Sequence, residues 1–188
     1  MKRNTKLTPE QKIVQAAIKW YCASKNKFNA IAEQAFVKVI VRYNKTVDER
    51  VRLGRYVADE RNYNALSIDE QSVLDCTRTW WDICTGERSG STDDYLASLK
   101  DLVKDLIEHQ KKEKRDAIVG THNCDLGSDD PSVIARWFGR MARKGAQYVA
   151  CHYDEGDAVY YLASRLPVTA RDAEREWNRE CGWEDDNC

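Results

Sequence analysis

The sequence predicts a mainly α protein with a small β-hairpin, and three observations lead there. Capping boxes at Thr8-Pro9-Glu10-Gln11 and Ser67-Ile68-Asp69-Glu70 each precede apolar residues at helical spacing. Leu96, Leu99, Leu102, Val103, Leu106 and Ile107 form a second, longer apolar stripe. Near the end, residues 147–153 and 158–162 have high β propensity and are separated by the turn-forming Asp154-Glu155-Gly156-Asp157.

The first helix follows Pro9 at its first position and carries Ile13, Ala16, Ala17, Trp20 and Tyr21. A second is expected to start at residues 26–29, to carry Ile31, Ala35, Phe36, Val39, Ile40 and Tyr43, and to end at Asn44-Lys45. Residues 47–63 alternate charged pairs with Val51, Leu53, Tyr56 and Val57, the pattern of an amphipathic helix that Gly54 weakens. The helix after Ser67 carries Val73, Leu74, Cys76, Thr77, Trp80, Trp81 and Cys84, and Gly86 stops it. Adjacent helix residues point in different directions, so one of Trp80 and Trp81 belongs to the core and the other to the surface or an interface.

Two glycines and two serines within residues 86–91 read as a linker. The expected organisation is therefore a four-helix part over residues 1–88, a second domain over 92–166, and a closing helix with an acidic tail over 167–188. Thr92-Asp93-Asp94 caps the leucine-rich helix. Residues 117–124 (Ala-Ile-Val-Gly-Thr-His-Asn-Cys) fit a short strand as well as a helix. Thr169 starts the last helix and Gly182 stops it, with Trp177 and Trp183 packing onto the N-terminal helices or mediating self-association as a homodimer.

With 42% hydrophobic and 32% charged residues, wholesale disorder is excluded. A formal net charge of -1 excludes a histone-like coat for nucleic acid, so any phosphate affinity must be local. Lys2, Arg3, Lys6, Lys12, Lys19, Lys25 and Lys27 make the start basic, and Glu174, Glu176, Glu180, Glu184, Asp185 and Asp186 make the end acidic. No apolar run reaches the ~18 residues of a membrane span, and no signal-peptide pattern opens the chain, so a cytoplasmic protein without membrane contact is expected. Seven cysteines at irregular intervals fit reduced thiols.

The functional signal lies in residues 130–166. Asp129 or Asp130 caps a helix with Pro131 in its first turn, Ile134, Phe138 and Met141 on one stripe, and Gly145 at its end. The outward side is expected to present Ser132, Val133, Arg136, Trp137, Arg140, Arg143 and Lys144, and no acidic residue lies between Pro131 and Tyr153. A glycine-terminated helix leading into a hairpin resembles the recognition helix and wing of the winged helix-turn-helix superfamily. Ile134, Phe138, Met141 and Gly145 match its helix pattern; over residues 93–166 the leucine-rich helix stands for its first scaffold helix and residues 116–126 for the short helix before the recognition helix.

The resemblance implies a DNA-binding regulator whose residues 131–144 enter the major groove, Arg136 reaching guanine and Arg140, Arg143 and Lys144 meeting phosphates. An acidic 154–157 turn opposes phosphate, and an exposed Trp137 among arginines also suits a protein-interaction surface that inhibits or recruits another macromolecule. His122, Cys124, Cys151 and His152 form a possible zinc set, although Cys151 and His152 should alternate across a strand. Asp125, Asp129, Asp130, Asp154, Glu155 and Asp157 would hold Mg²⁺ or Ca²⁺ in a nucleic-acid enzyme if their loops met. No phosphate-binding loop, dinucleotide fingerprint, serine elbow or zinc-protease motif is present, so a binding protein without cofactor is expected rather than an enzyme.

Overall fold

A computed structural model describes residues 6–25, 27–52, 56–125, 130–153 and 158–183. Among these the chain is mainly α, with seven helices and one three-stranded antiparallel sheet. It forms two compact units, Met1–His109 and Gln110–Cys188. The division falls inside a helix rather than at residues 86–91, which form the turn between two helices of the first unit. No helix among the described residues is long and apolar enough to cross a membrane.

In the first unit, α1 (Pro9–Ser24) begins at Thr8, whose hydroxyl accepts the Gln11 N–H at 3.2 Å while the Gln11 side chain accepts the Thr8 N–H at 3.0 Å. Helix α4 (Ile68–Cys84) repeats the device with Ser67 and Glu70. Each box satisfies two N–H groups that a helix start would otherwise leave unpaired. The core gathers Ile13, Val14, Ala17 and Trp20 of α1, Phe36, Ile40 and Tyr43 of α2 (Ala30–Arg52), Val73, Leu74 and Trp80 of α4, and Leu99, Val103 and Leu106 of α5 (Thr92–Asp116). At its centre Phe36 stacks between Trp20 and Trp80, with ring centroids 5.4 and 6.1 Å away. Trp80 is buried, and Trp81 is half-buried against the same core.

Two expectations need correction here. Helix α2 does not stop at Asn44-Lys45 but continues to Arg52, and α3 is confined to Tyr56–Asn64. Neither Asn nor Lys breaks a helix as Gly or Pro does. Val47 packs on the core, and Arg50 makes an ion pair with the buried Glu10 of α1 at 3.3 Å, so tertiary contacts carry the helix through. Ile31, expected on the apolar stripe, is exposed near the helix start. Asn26 and Gly54 lie outside the described residues, as does Leu53.

The second unit holds the end of α5, β1 (Ile118–Asp125), α6 (Pro131–Arg143), β2 (Tyr148–Tyr153), β3 (Ala158–Ser164) and α7 (Ala170–Glu180). The segment that sequence left open between helix and strand is a strand. It pairs along β3 from Ile118↔Ser164 to Asp125↔Ala158, with one irregularity between Ile118 and Gly120. Strand order is β1-β3-β2, so the hairpin β2-β3 is completed by a distant third strand that places β3 in the middle. Successive residues of β3 point to opposite faces. Tyr161 and Ala163 meet α6, whereas Tyr160 and Leu162 meet α7.

Thr169 and Asp172 form a capping box at the start of α7, and Lys114 pairs with the same Asp172 carboxylate at 3.2 Å. Thr121 of β1 donates to Glu180 at 3.0 Å, and Glu176 pairs with Arg179. Burial pushes the phenol of Tyr160, beneath α7, well above its ordinary range. Trp177 lies beside His152 of β2 and edge-on to Trp183. The amphipathicity of α7 is spent on the sheet.

Candidate nucleic-acid interface

Helix α6 is positioned at both ends by its own sequence. Asp130 supplies the cap, accepting the Ser132 N–H at 2.8 Å, and Pro131 occupies the first position, where no N–H is needed. The Ser132 amide and hydroxyl hold the Asp130 carboxyl below the usual carboxylate range. Asp129, the other expected cap, lies outside the described residues. At the far end Gly145 adopts φ 93°, a left-handed conformation that suits glycine. The Ala146 N–H then reaches Met141 O at 3.0 Å and closes the helix.

The buried side of α6 differs from the expected one at its most conspicuous residue. Trp137 is not exposed among the arginines; it is 4% exposed and belongs to the core beneath the helix. It stacks on His122 of β1 at 5.5 Å and meets Phe138 edge-on at 5.1 Å. Met141 is buried beside it, close over β1: a Cβ added to Gly120 would lie 2.7 Å from the Met141 sulfur. The expected stripe of Ile134, Phe138 and Met141 does face inward, but Ile134 and Phe138 are only half-buried. Trp137 shifts the buried side by about half the ~100° that separates neighbouring helix residues.

The remaining site residues stay on the outer side. Ser132, Arg136, Arg140, Arg143 and Lys144 are exposed and Val133 is half-buried. At ~100° per residue these six positions fall within about 120° of the helix circumference. Among the described residues none of the four cations is paired with a carboxylate. Ala135 and Gly139 interleave with them, and a Cβ added to Gly139 would meet nothing within 4 Å. The result is an open concavity of about 660 Å³ bordered by Val133, Ala135, Arg136, Gly139, Arg140 and Arg143. Its small residues leave room for close approach, and its arginines supply charge and hydrogen-bond donors.

Arg136 is held in place. Its Nε donates to Ser132 O at 3.1 Å and its Nη2 to Ser132 Oγ at 3.3 Å, while that hydroxyl donates to Asp130 Oδ2 at 2.8 Å. The cap of the helix therefore also orders the guanidinium one turn later. Arg165, in the loop after β3, adds a further exposed cation near the end of α6, its Nε 3.8 Å from where a Gly145 Cβ would stand. Sequence reading did not include Arg165; the β2-β3 register, with Tyr148 opposite Ser164 and the Gln147 N–H donating to Ser164 O, is what brings that loop beside the end of α6.

The other sets do not converge in this way. Among the described residues no group of three or more His, Cys, Asp or Glu could hold a metal ion. His122 lies opposite Tyr161 on the α6 side of the sheet and Cys124 opposite Val159; His152 lies opposite Tyr160 on the α7 side, against Trp177. Cys151 shares the α6 side but sits on β2, one strand beyond β3 from His122 and Cys124. His122 and Cys124 are thus parts of packed layers. The carboxylate set rests on Asp129, Asp154, Glu155 and Asp157, which lie outside the described residues together with the turn expected to repel phosphate and the acidic tail after Trp183.

Comparison with protein-family models, curated proteins and solved structures finds no match, so the reading of this surface rests on its own geometry.

Proposed function

We propose that the protein is a regulator that binds double-stranded DNA through the outer face of α6. The single observation behind this reading is the cationic strip of Arg136, Arg140, Arg143 and Lys144 along a smooth, exposed helix with no carboxylate partner among the described residues. The 13 residues of α6 extend about 20 Å, and an α-helix of that size fits the major groove. Arg136, near the start of the helix, is the residue to meet a guanine edge, and Arg140, Arg143 and Lys144 are placed for phosphates.

The burial of Trp137 supports DNA over a protein partner. An exposed aromatic would have been the anchor of a protein interface and an obstruction in a groove; inside the core it is neither. What remains outside is cation, hydroxyl and small side chain, the composition of a phosphate-contacting surface.

The experiment is a duplex-binding titration at two salt concentrations with the parent and with Arg136→Ala/Arg140→Ala. The parent should bind, and weaken steeply with salt. The double variant should bind at least tenfold more weakly at low salt, with a log–log salt slope shallower by about 1–2. A parent that fails to bind duplex at low salt ends the proposal.

A further inference from the structure

Strand β2 is an open edge of the sheet, paired to β3 along its length and to nothing else among the described residues. Such an edge presents unpaired N–H and C=O groups, and proteins ordinarily guard it with lysine, proline, a bulge or a covering segment. Strand β2 has none of the sequence or register devices. Its residues are Tyr148, Val149, Ala150, Cys151, His152 and Tyr153, with no lysine, arginine or carboxylate among them, and its register with β3 is uninterrupted. Strand β1, at the opposite edge, is irregular between Ile118 and Gly120.

Of the large hydrophobic residues exposed in this unit among the described residues, Tyr148, Val149 and Tyr153 lie on the same strand, and Leu166 and Trp183 lie elsewhere. Tyr148 is 42% exposed, Val149 47% and Tyr153 68%. Val149, Cys151 and Tyr153 lie opposite Ala163, Tyr161 and Val159, and so point to the α6 side of the sheet. Among the described residues the cluster beneath α6 takes its strand residues from β1 and β3, and on that side of β2 Val149 and Tyr153 are exposed while Cys151 is half-buried.

We propose that β2 pairs antiparallel with β2 of a second copy of this chain, giving a dimer with a continuous six-stranded sheet. The self-complementarity of the strand argues for this occupant. A two-fold axis perpendicular to the sheet keeps each α6 side on the same side, so a residue of one face must oppose a residue of that same face. Placing Cys151 opposite its own counterpart meets this condition and sets Val149 against Tyr153 on both sides of the axis. A β-branched residue then faces an aromatic one, a favourable cross-strand pair. Centring the axis on Ala150 would leave Tyr153 outside the paired region. The pairing stands whether or not α6 binds DNA; if it does, the dimer presents both α6 helices on one side.

A six-residue strand pair is at the small end of stable interfaces, so the dimer should form on the order of micromolar concentrations. Sedimentation of the full chain across about 1–100 µM tests it. The parent should shift from monomer to dimer, and Val149→Lys, at an exposed position, should remain monomeric with unchanged circular dichroism. Tyr153→Lys is the second variant should the first disturb folding. Opposed cysteines in an antiparallel pair have Cα atoms about 4.5–5.5 Å apart, within disulfide range. Diamide should therefore convert two Cys151 thiols to an S–S bond, taking up both hydrogens as it is reduced to the hydrazine. That covalent dimer should be lost in Cys151→Ser. A parent monomeric throughout the range, a folded Val149→Lys that dimerises equally, or undiminished crosslinking in Cys151→Ser would overturn the pairing.

Discussion

The indole of Trp137 lies over the imidazole of His122 with ring centroids 5.5 Å apart and planes 24° from parallel, joining α6 to the edge strand β1. This contact fixes which side of α6 faces outward. Rotating the helix to expose Trp137 would turn part of the arginine strip toward the sheet. Truncation by Trp137→Ala should cost about 3–5 kcal/mol in the unfolding free energy of the second unit. Arg136→Ala, at an exposed position, should stay within about 0.5 kcal/mol. Urea unfolding followed by near-UV circular dichroism separates the two, and similar losses for both would show that the indole does not anchor the helix.

In the first unit the decisive polar contact is Glu10 with Arg50. The Glu10 side chain is only 2% exposed, and its partner reaches it from the last turns of α2. Removing one member of a buried pair leaves the other desolvated, which costs about 3–5 kcal/mol. Arg50→Ala should lower the melting temperature sharply. Adding Glu10→Gln should recover part of that loss, because a neutral amide is easier to bury than a lone carboxylate. The double variant melting no higher than Arg50→Ala would argue against this account.

Much of the helical frame is legible because its signals are local. Thr8 with Gln11 and Ser67 with Glu70 act within one turn, as does Gly145 at the end of α6, so the residues that announce these helix ends also make the bonds. The parts that were not legible depend on distant partners. Residues 117–124 have no firm local preference, and β1 exists because Thr121, His122 and Asn123 find Leu162, Tyr161 and Tyr160. Continuation of α2 past Asn44 depends on the pairing of Arg50 with Glu10, forty residues before it. In the candidate site, helical spacing located the cationic side but put Phe138 inside and Trp137 outside, whereas Trp137 is the more buried of the two. Their order of burial was decided by His122 and Tyr161 across the interface.

Acid should weaken the start of α7. Burial alone would raise the Asp172 carboxyl, but the Thr169 hydroxyl and amide and the Lys114 ammonium outweigh it and hold it below its ordinary value. A carboxyl lowered in the folded state contributes stability above its unfolded value near pH 4, and that contribution disappears as pH falls through the lower folded value. Asp172→Asn should therefore flatten the acid limb of the stability profile below about pH 4 and reduce stability at neutral pH. An unchanged acid limb would place the titration elsewhere.

The order imposed on Arg136 offers the sharpest separation of base reading from charge. Ser132 accepts from two of its guanidinium nitrogens and is itself anchored by the Asp130 cap, so the fork is aligned before any ligand arrives. Ser132→Ala removes the hydroxyl but keeps every cation and the backbone acceptor. Phosphate contacts, and with them the salt slope, should be unchanged. Discrimination among duplex sequences should fall by a few-fold, because Arg136 then loses conformational freedom on binding that it had already surrendered in the parent. Arg136→Lys should reduce discrimination further, since an ammonium cannot make the bidentate contact with guanine. Should Ser132→Ala change the salt slope and leave sequence preference intact, Ser132 would be a phosphate contact rather than a residue that positions Arg136.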